Sequence, residues 1–160
     1  GHLTETLDLT VLAEDVRSGA RSAAQAQGIS VTMTAAESEA LVRGTRGGLR
    51  RALTALLDNA LRHARSRVQL ALQVDGDRVT VTVTDDGPGI DPAVLPTLFA
   101  RFSSGGEIEH SSGGEPARRR YGLGLALVSE IANRHGGSVA ALPAPQGGAR
   151  LRLTLPRARR

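Results

Sequence analysis

From Val68 to Val83 the apolar side chains alternate with a period of two. Val68, Leu70, Leu72 and Val74 stand before Asp75-Gly76-Asp77, and Val79, Val81 and Val83 stand after it. This reads as a β-hairpin with one apolar face. That face has to be covered, and the flanking segments offer helices to cover it. From Leu9 to about Gln27, positions Leu9, Leu12, Ala13, Val16 and Ala20 follow helical spacing, with Asp8 as N-cap and Gly28 as stop. A second helix runs from about Gly48 to Ala64 with Leu49, Ala52, Leu53, Leu56 and Ala60 as its buried stripe. A third runs from about Leu123 to His135 and is closed by Gly136-Gly137.

The remaining apolar alternations are short. Ile29, Val31 and Met33 predict a strand, and Ser138–Leu142 pairs with Ala149–Leu155 across Pro143–Gly148 as a last hairpin. A short helix is expected after Asp91-Pro92, with proline in its first turn. The order α-β-α-β-β-α-α-β-β predicts an α+β, two-layer sandwich: a mixed, mostly antiparallel sheet of about five strands with three helices on one face. Residues 103–121 break every pattern with Ser103-Ser104-Gly105-Gly106, Ser111-Ser112-Gly113-Gly114 and Arg118-Arg119-Arg120. A loop of that length inside a small domain is either disordered or a functional lid. Residues 1–7 read as an N-terminal remnant or linker, 8–156 as one domain, and 157–160 as an arginine-rich tail.

Composition removes several function classes. The apolar share of 40% allows a real core at this length. That core must be aliphatic, since Phe99, Phe102 and Tyr121 are the only aromatics, and a sheet that stacks bases on aromatics is not expected. There is no cysteine, hence no disulfide framework and no common structural zinc site. No apolar run is long enough to span a membrane, and no membrane contact is expected. All twenty basic residues are arginine. Without lysine there is neither a phosphate loop of the G-x-x-x-x-G-K type nor the strand lysine of protein kinases. The net charge of +4 is modest, and nucleic-acid binding is not expected.

Three segments carry possible chemistry. Asp85 continues the core-facing phase of Val79, Val81 and Val83, and a carboxylate there is costly unless something pairs with it. Asp85-Asp86-Gly87-Pro88-Gly89-Ile90 then turns sharply, so Asp85 either caps a turn or meets a ligand. On the second helix Ala55, Asn59 and Arg62 project within roughly 60° of one another, beside the apolar stripe. Asn59 offers an amide oxygen suited to a hard cation, and Arg62 a guanidinium suited to a phosphate; both also fit an ordinary helix edge. Gly122-Leu123-Gly124-Leu125 leads into the third helix, whose free N–H groups make either an anion site or a plain loop-to-helix joint.

Taken together and in order, these segments resemble the catalytic and ATP-binding domain of bacterial two-component sensor histidine kinases, of the superfamily that includes gyrase B, Hsp90 and MutL. Leu56–His63 resembles the N box, Asp85–Ile90 the G1 box, Leu98–Phe102 the F box and Tyr121–Val128 the G2 box; His135-Gly136-Gly137 is also typical. The resemblance implies the Bergerat ATP-binding fold and the cofactors ATP and Mg²⁺. It implies that Asn59 holds the metal and that Asn59 and Arg62 act in catalysis, with Arg62 and His63 at the nucleotide. It implies that Asp85 accepts the adenine amino group, that Gly87, Gly89 and Ile90 shape the pocket, and that Gly122, Leu123, Gly124 and Leu125 close over the phosphates. Phe99 and Phe102 would anchor a lid over 103–121; Ser103 and Ser104 stand where the family often has a basic residue, and Arg118, Arg119 or Arg120 is expected to supply that charge to the phosphates.

Ala55 departs from the ATPases of the superfamily, which carry a glutamate there as general base. No histidine here sits in a phosphoacceptor box. The implied partners are therefore phosphoacceptor and dimerisation helices of the same parent protein and a response regulator. The implied setting is a cytoplasmic domain of a membrane-anchored sensor, monomeric by itself. A serine kinase of the anti-sigma type and a non-catalytic nucleotide-binding interaction module are the alternatives.

Overall fold

In the computed structural model, which describes residues 3–99, 124–144 and 146–159, the alternating segment forms the middle of a sheet. The described elements are, in chain order, β1 (Glu5–Asp8), α1 (Leu9–Ala26), β2 (Ser30–Thr34), β3 (Leu41–Gly44), α2 (Arg46–His63), β4 (Arg67–Asp75) and β5 (Arg78–Asp85). A single 3-10 turn (Leu95–Thr97), α3 (Gly124–Arg134), β6 (Ser138–Leu142) and β7 (Arg150–Pro156) complete them. The large sheet has the order β2-β4-β5-β7-β6. Only the β2–β4 pair is parallel. This is the mixed five-stranded sheet with three helices that the sequence pattern predicts.

Strand alternation decides which face is covered. Val68, Leu70 and Leu72 of β4, Val79, Val81 and Val83 of β5, and Leu151, Leu153 and Leu155 of β7 are all buried. Opposite them lie Leu9, Leu12, Ala13 and Val16 of α1, Leu49, Leu53, Leu56 and Leu57 of α2, and Leu125, Val128 and Ile131 of α3. Each fully buried leucine or valine contributes about 1.5–3 kcal/mol of transfer free energy. The hairpin closes at the Asp75–Arg78 pair, leaving Gly76-Asp77 as a two-residue turn with Gly76 at φ 63°. Asp8 caps α1 as expected, its side chain accepting from the Thr10 N–H at 2.9 Å.

Two readings need correction. Residues 5–8, read partly as linker, form a strand paired antiparallel with β3, and neither strand was expected. Each is four residues long and buries little beyond Leu7 and Val42, too short to show alternation. The helix expected after Pro92 is a single 3-10 turn among the described residues, because Pro96 removes an N–H where a second turn would need one. The tail is also docked: the Arg157 N–H donates to the Asp77 carbonyl and the Ala158 N–H to that of Leu41, both at 2.7 Å.

His135 has a structural task. Its Nδ1 donates to the Ile131 carbonyl at 2.8 Å, and its Nε2 accepts the Thr45 N–H at 3.2 Å. The second bond requires an unprotonated Nε2, which fixes the tautomer. The ring thereby caps the start of α2, where the Thr45 side chain makes no capping bond, and ties it to the end of α3.

Candidate nucleotide site

Asp85 is 5% exposed at the end of β5. Its Oδ1 accepts the Gly87 N–H at 2.8 Å and the Ala149 N–H at 3.4 Å. Burial pushes the carboxyl above its ordinary range, while those two backbone N–H groups and the nearby His63 pull it down. Two glycines make the enclosure possible. At Gly87 a Cβ would meet the carbonyl of His63 and would lie 3.0 Å from Asp85 Oδ1; at Gly148 it would strike the carbonyl of Asp85. The turn after β5 is thus sandwiched between the end of α2 and the β6–β7 connection. Gly89, at φ 86°, packs against Gly147, and Ile90 leans on the core.

The next residue faces the other way and does different work. Asp86 Oδ1 accepts the N–H groups of Arg65, Ser66 and Arg67 at 2.8, 3.0 and 3.1 Å, and Oδ2 takes the Ser66 hydroxyl at 2.6 Å. The Ser66 side chain first, then these backbone donors, hold the carboxyl well below the usual range. Asp86 therefore locks the loop leaving α2 onto the end of β5. Sequence reasoning gave it no role. The available signal was period two itself: when Asp85 faces the core, Asp86 must face the opposite side, toward the helix-to-strand loop. Asp86→Ala should cost about 1–2 kcal/mol in urea unfolding at pH 7. A depressed carboxyl stabilises the native state above the unfolded-state value, and that stability is lost as pH falls toward the folded-state value. The gap between variant and wild type should therefore narrow on acidification below about pH 4. A gap that stays constant down to pH 2.5 would refute the clamp.

Asn59 is 4% exposed on α2, and its Oδ1 is buried with no hydrogen-bond partner among the described residues. Native structures rarely leave such an oxygen unmatched. One turn earlier, Ala55 meets the start of α3: a Cβ on Gly124 would lie 3.4 Å from that of Ala55. The N-terminus of α3 is therefore seated on α2 beside Asn59. Arg62 is exposed and His63 half-buried, and the His63 carbonyl lies against Gly87. Leu125, read as a nucleotide-binding position, is fully buried; its side chain packs in the core, so any ligand contact falls to its backbone. Phe99 packs partly on the core. Phe102, Arg120, Gly122 and Leu123, with the lid 103–121 and Arg118 and Arg119, lie outside the described residues. Among the described residues, no cluster of three or more metal-ligating side chains occurs, and no helix is long and apolar enough to cross a membrane.

Comparison with known proteins points the same way as the geometry. Residues 44–159 match the family described as histidine kinase-, DNA gyrase B- and HSP90-like ATPase. A sensor histidine kinase component, HK1, from Mycobacterium tuberculosis is 39% identical over 131 residues, 82% of this chain and 73% of that protein. The Escherichia coli sensor histidine kinase CpxA is 34% identical over 155 residues, 96% of this chain but 33% of CpxA. The crystal structure of the ATP-binding domain of PrrB from Mycobacterium tuberculosis superposes with a TM-score of 0.76 at 27% identity, covering 98% of each chain.

Proposed function

This chain belongs to the family of histidine kinase-, DNA gyrase B- and HSP90-like ATPases, as a histidine-kinase catalytic domain, and from that premise we propose how its residues serve phosphoryl transfer. The domain binds Mg-ATP and presents the γ-phosphate to a histidine on separate phosphoacceptor and dimerisation helices of the same parent. The phosphate then passes to an aspartate of a response regulator. The parent is a membrane-anchored sensor with this domain on its cytoplasmic side. The observation that carries the reading is Asp85, a carboxylate buried at the end of an apolar strand row, where the N–H groups of Gly87 and Ala149 both fall on Oδ1 and burial outweighs them. The exocyclic amine of adenine supplies the further donor such a group calls for.

Asn59 fits the metal: a buried amide oxygen without a partner among the described residues is a hard ligand for Mg²⁺. When bound, the ion neutralises charge on the phosphates. The chain's own residues do the rest. Arg62 reaches toward phosphate oxygens from the next turn of α2, the N-terminus of α3 offers N–H donors, and Arg118, Arg119 or Arg120 adds charge from the lid. Ala55 cannot take a proton from water, so hydrolysis is slow and the phosphate waits for an imidazole. The experiment mixes the chain with a two-helix phosphoacceptor domain and γ-labelled ATP. Label should accumulate on the acceptor histidine, while the chain alone releases little phosphate. Rapid hydrolysis by the chain alone, with no label transferred, would refute the reading.

A further inference from the structure

The sheet face turned away from the helices carries a cavity of about 560 Å³ near the end of β5. Its floor is one row of the sheet: Thr32, Gln69, Thr84 and Arg150 stand side by side on β2, β4, β5 and β7. Arg67 and Gln146 form the rim. The Nε of Arg150 is buried and has no hydrogen-bond partner among the described residues, and neither Arg150 nor Arg67 is in an ion pair among them. Two carboxylates belong to the wall, and both are engaged elsewhere. Asp85 points to the helix side in phase with Val83, and Asp86 holds residues 65–67.

A buried N–H without an acceptor is costly, and a guanidinium offers its donors as a fixed fork matched to oxyanions. Around that fork stand two hydroxyls and two amides, all able to donate. We infer that this cavity binds a small oxyanion, a phosphate or carboxylate group carried by a small molecule, with Arg150 as the anchor and Arg67 as the second cation. It lies across β5 from the Asp85 carboxylate and is a separate site. Arg150 directly follows Ala149, whose N–H touches Asp85, so an occupant here abuts the strand segment that holds the nucleotide carboxylate.

The test is a residue-resolved NMR titration of the ¹⁵N-labelled chain with inorganic phosphate and, in parallel, with succinate, at ionic strength held constant by chloride. Saturable shifts are expected at the amides of Thr32, Gln69, Thr84 and Arg150. Arg150→Gln should weaken the response at least about tenfold, and Arg67→Gln, at an exposed position that leaves folding intact, should weaken it less. Saturation by phosphate alone identifies a phosphate-bearing ligand, and by succinate alone a carboxylate. Absence of saturable shifts with either, or shifts unchanged in both variants, overturns the proposal and leaves Arg150 to water.

Discussion

Asp85→Asn should leave the fold standing and lower affinity for a non-hydrolysable ATP analogue at least about a hundredfold, roughly 2.7 kcal/mol in titration calorimetry. The substitution is nearly isosteric. An asparagine can keep its Oδ1 on the N–H groups of Gly87 and Ala149, so the turn between β5 and the β6–β7 connection keeps both bonds. What changes is the second position, where an acceptor becomes an NH₂ that faces the amine of adenine donor to donor. A buried mismatch of that kind costs more than the bond it replaces. The pH profile supplies an independent check. Burial raises the Asp85 carboxyl, so affinity should hold above that raised value and fall as acidification protonates the group. The linked stability has the opposite sign from that of Asp86. A carboxyl raised in the native state binds its proton more tightly there than in the unfolded chain, so its contribution to stability grows as pH falls through the window between the two values. A variant that binds the analogue as tightly as wild type, with the same pH profile, would remove Asp85 from the adenine site.

The sequence carried the fold where the physical pattern was long. The hairpin of β4 and β5 and the stripes of α1 and α2 each extend over several turns or pleats, and each agrees with the structure to within two residues. Two strands were invisible because four residues with one buried side chain or two look like loop in any periodicity. The expected helix after Pro92 failed because one proline suits a first turn and a second, Pro96, does not suit the next. In the site, Asp85 was legible because a charge in an apolar phase has no ordinary explanation. The N–H of Ala149 on that carboxylate was not legible, because it joins residues 64 positions apart and depends on Gly148 sitting flush against the Asp85 carbonyl. The role of Asp86 was hidden for the same reason: its partners are the backbone of a loop about 20 residues earlier, and backbone donors have no sequence signature.

Asn59→Ala separates the metal from the scaffold. The Asn59 Oδ1 accepts nothing among the described residues, so removing it deletes a desolvated oxygen along with some packing. These two effects oppose each other, and the unfolding free energy should move by no more than about 1 kcal/mol. The loss should appear instead when the ligands are added. The gain in nucleotide affinity brought by Mg²⁺ should shrink at least about tenfold, and transfer of label to a phosphoacceptor domain should fall at least about a hundredfold. Binding measured with chelator present should hardly differ between variant and wild type, because α2 still presents Arg62 and the start of α3 still rests on Ala55. That contrast tells a metal ligand from a packing residue: a packing residue would lower stability and binding together, with or without the ion. If the alanine variant keeps the full magnesium response, or loses 3 kcal/mol or more without nucleotide, then the oxygen on α2 serves the core, and the cation must be held by something other than this helix.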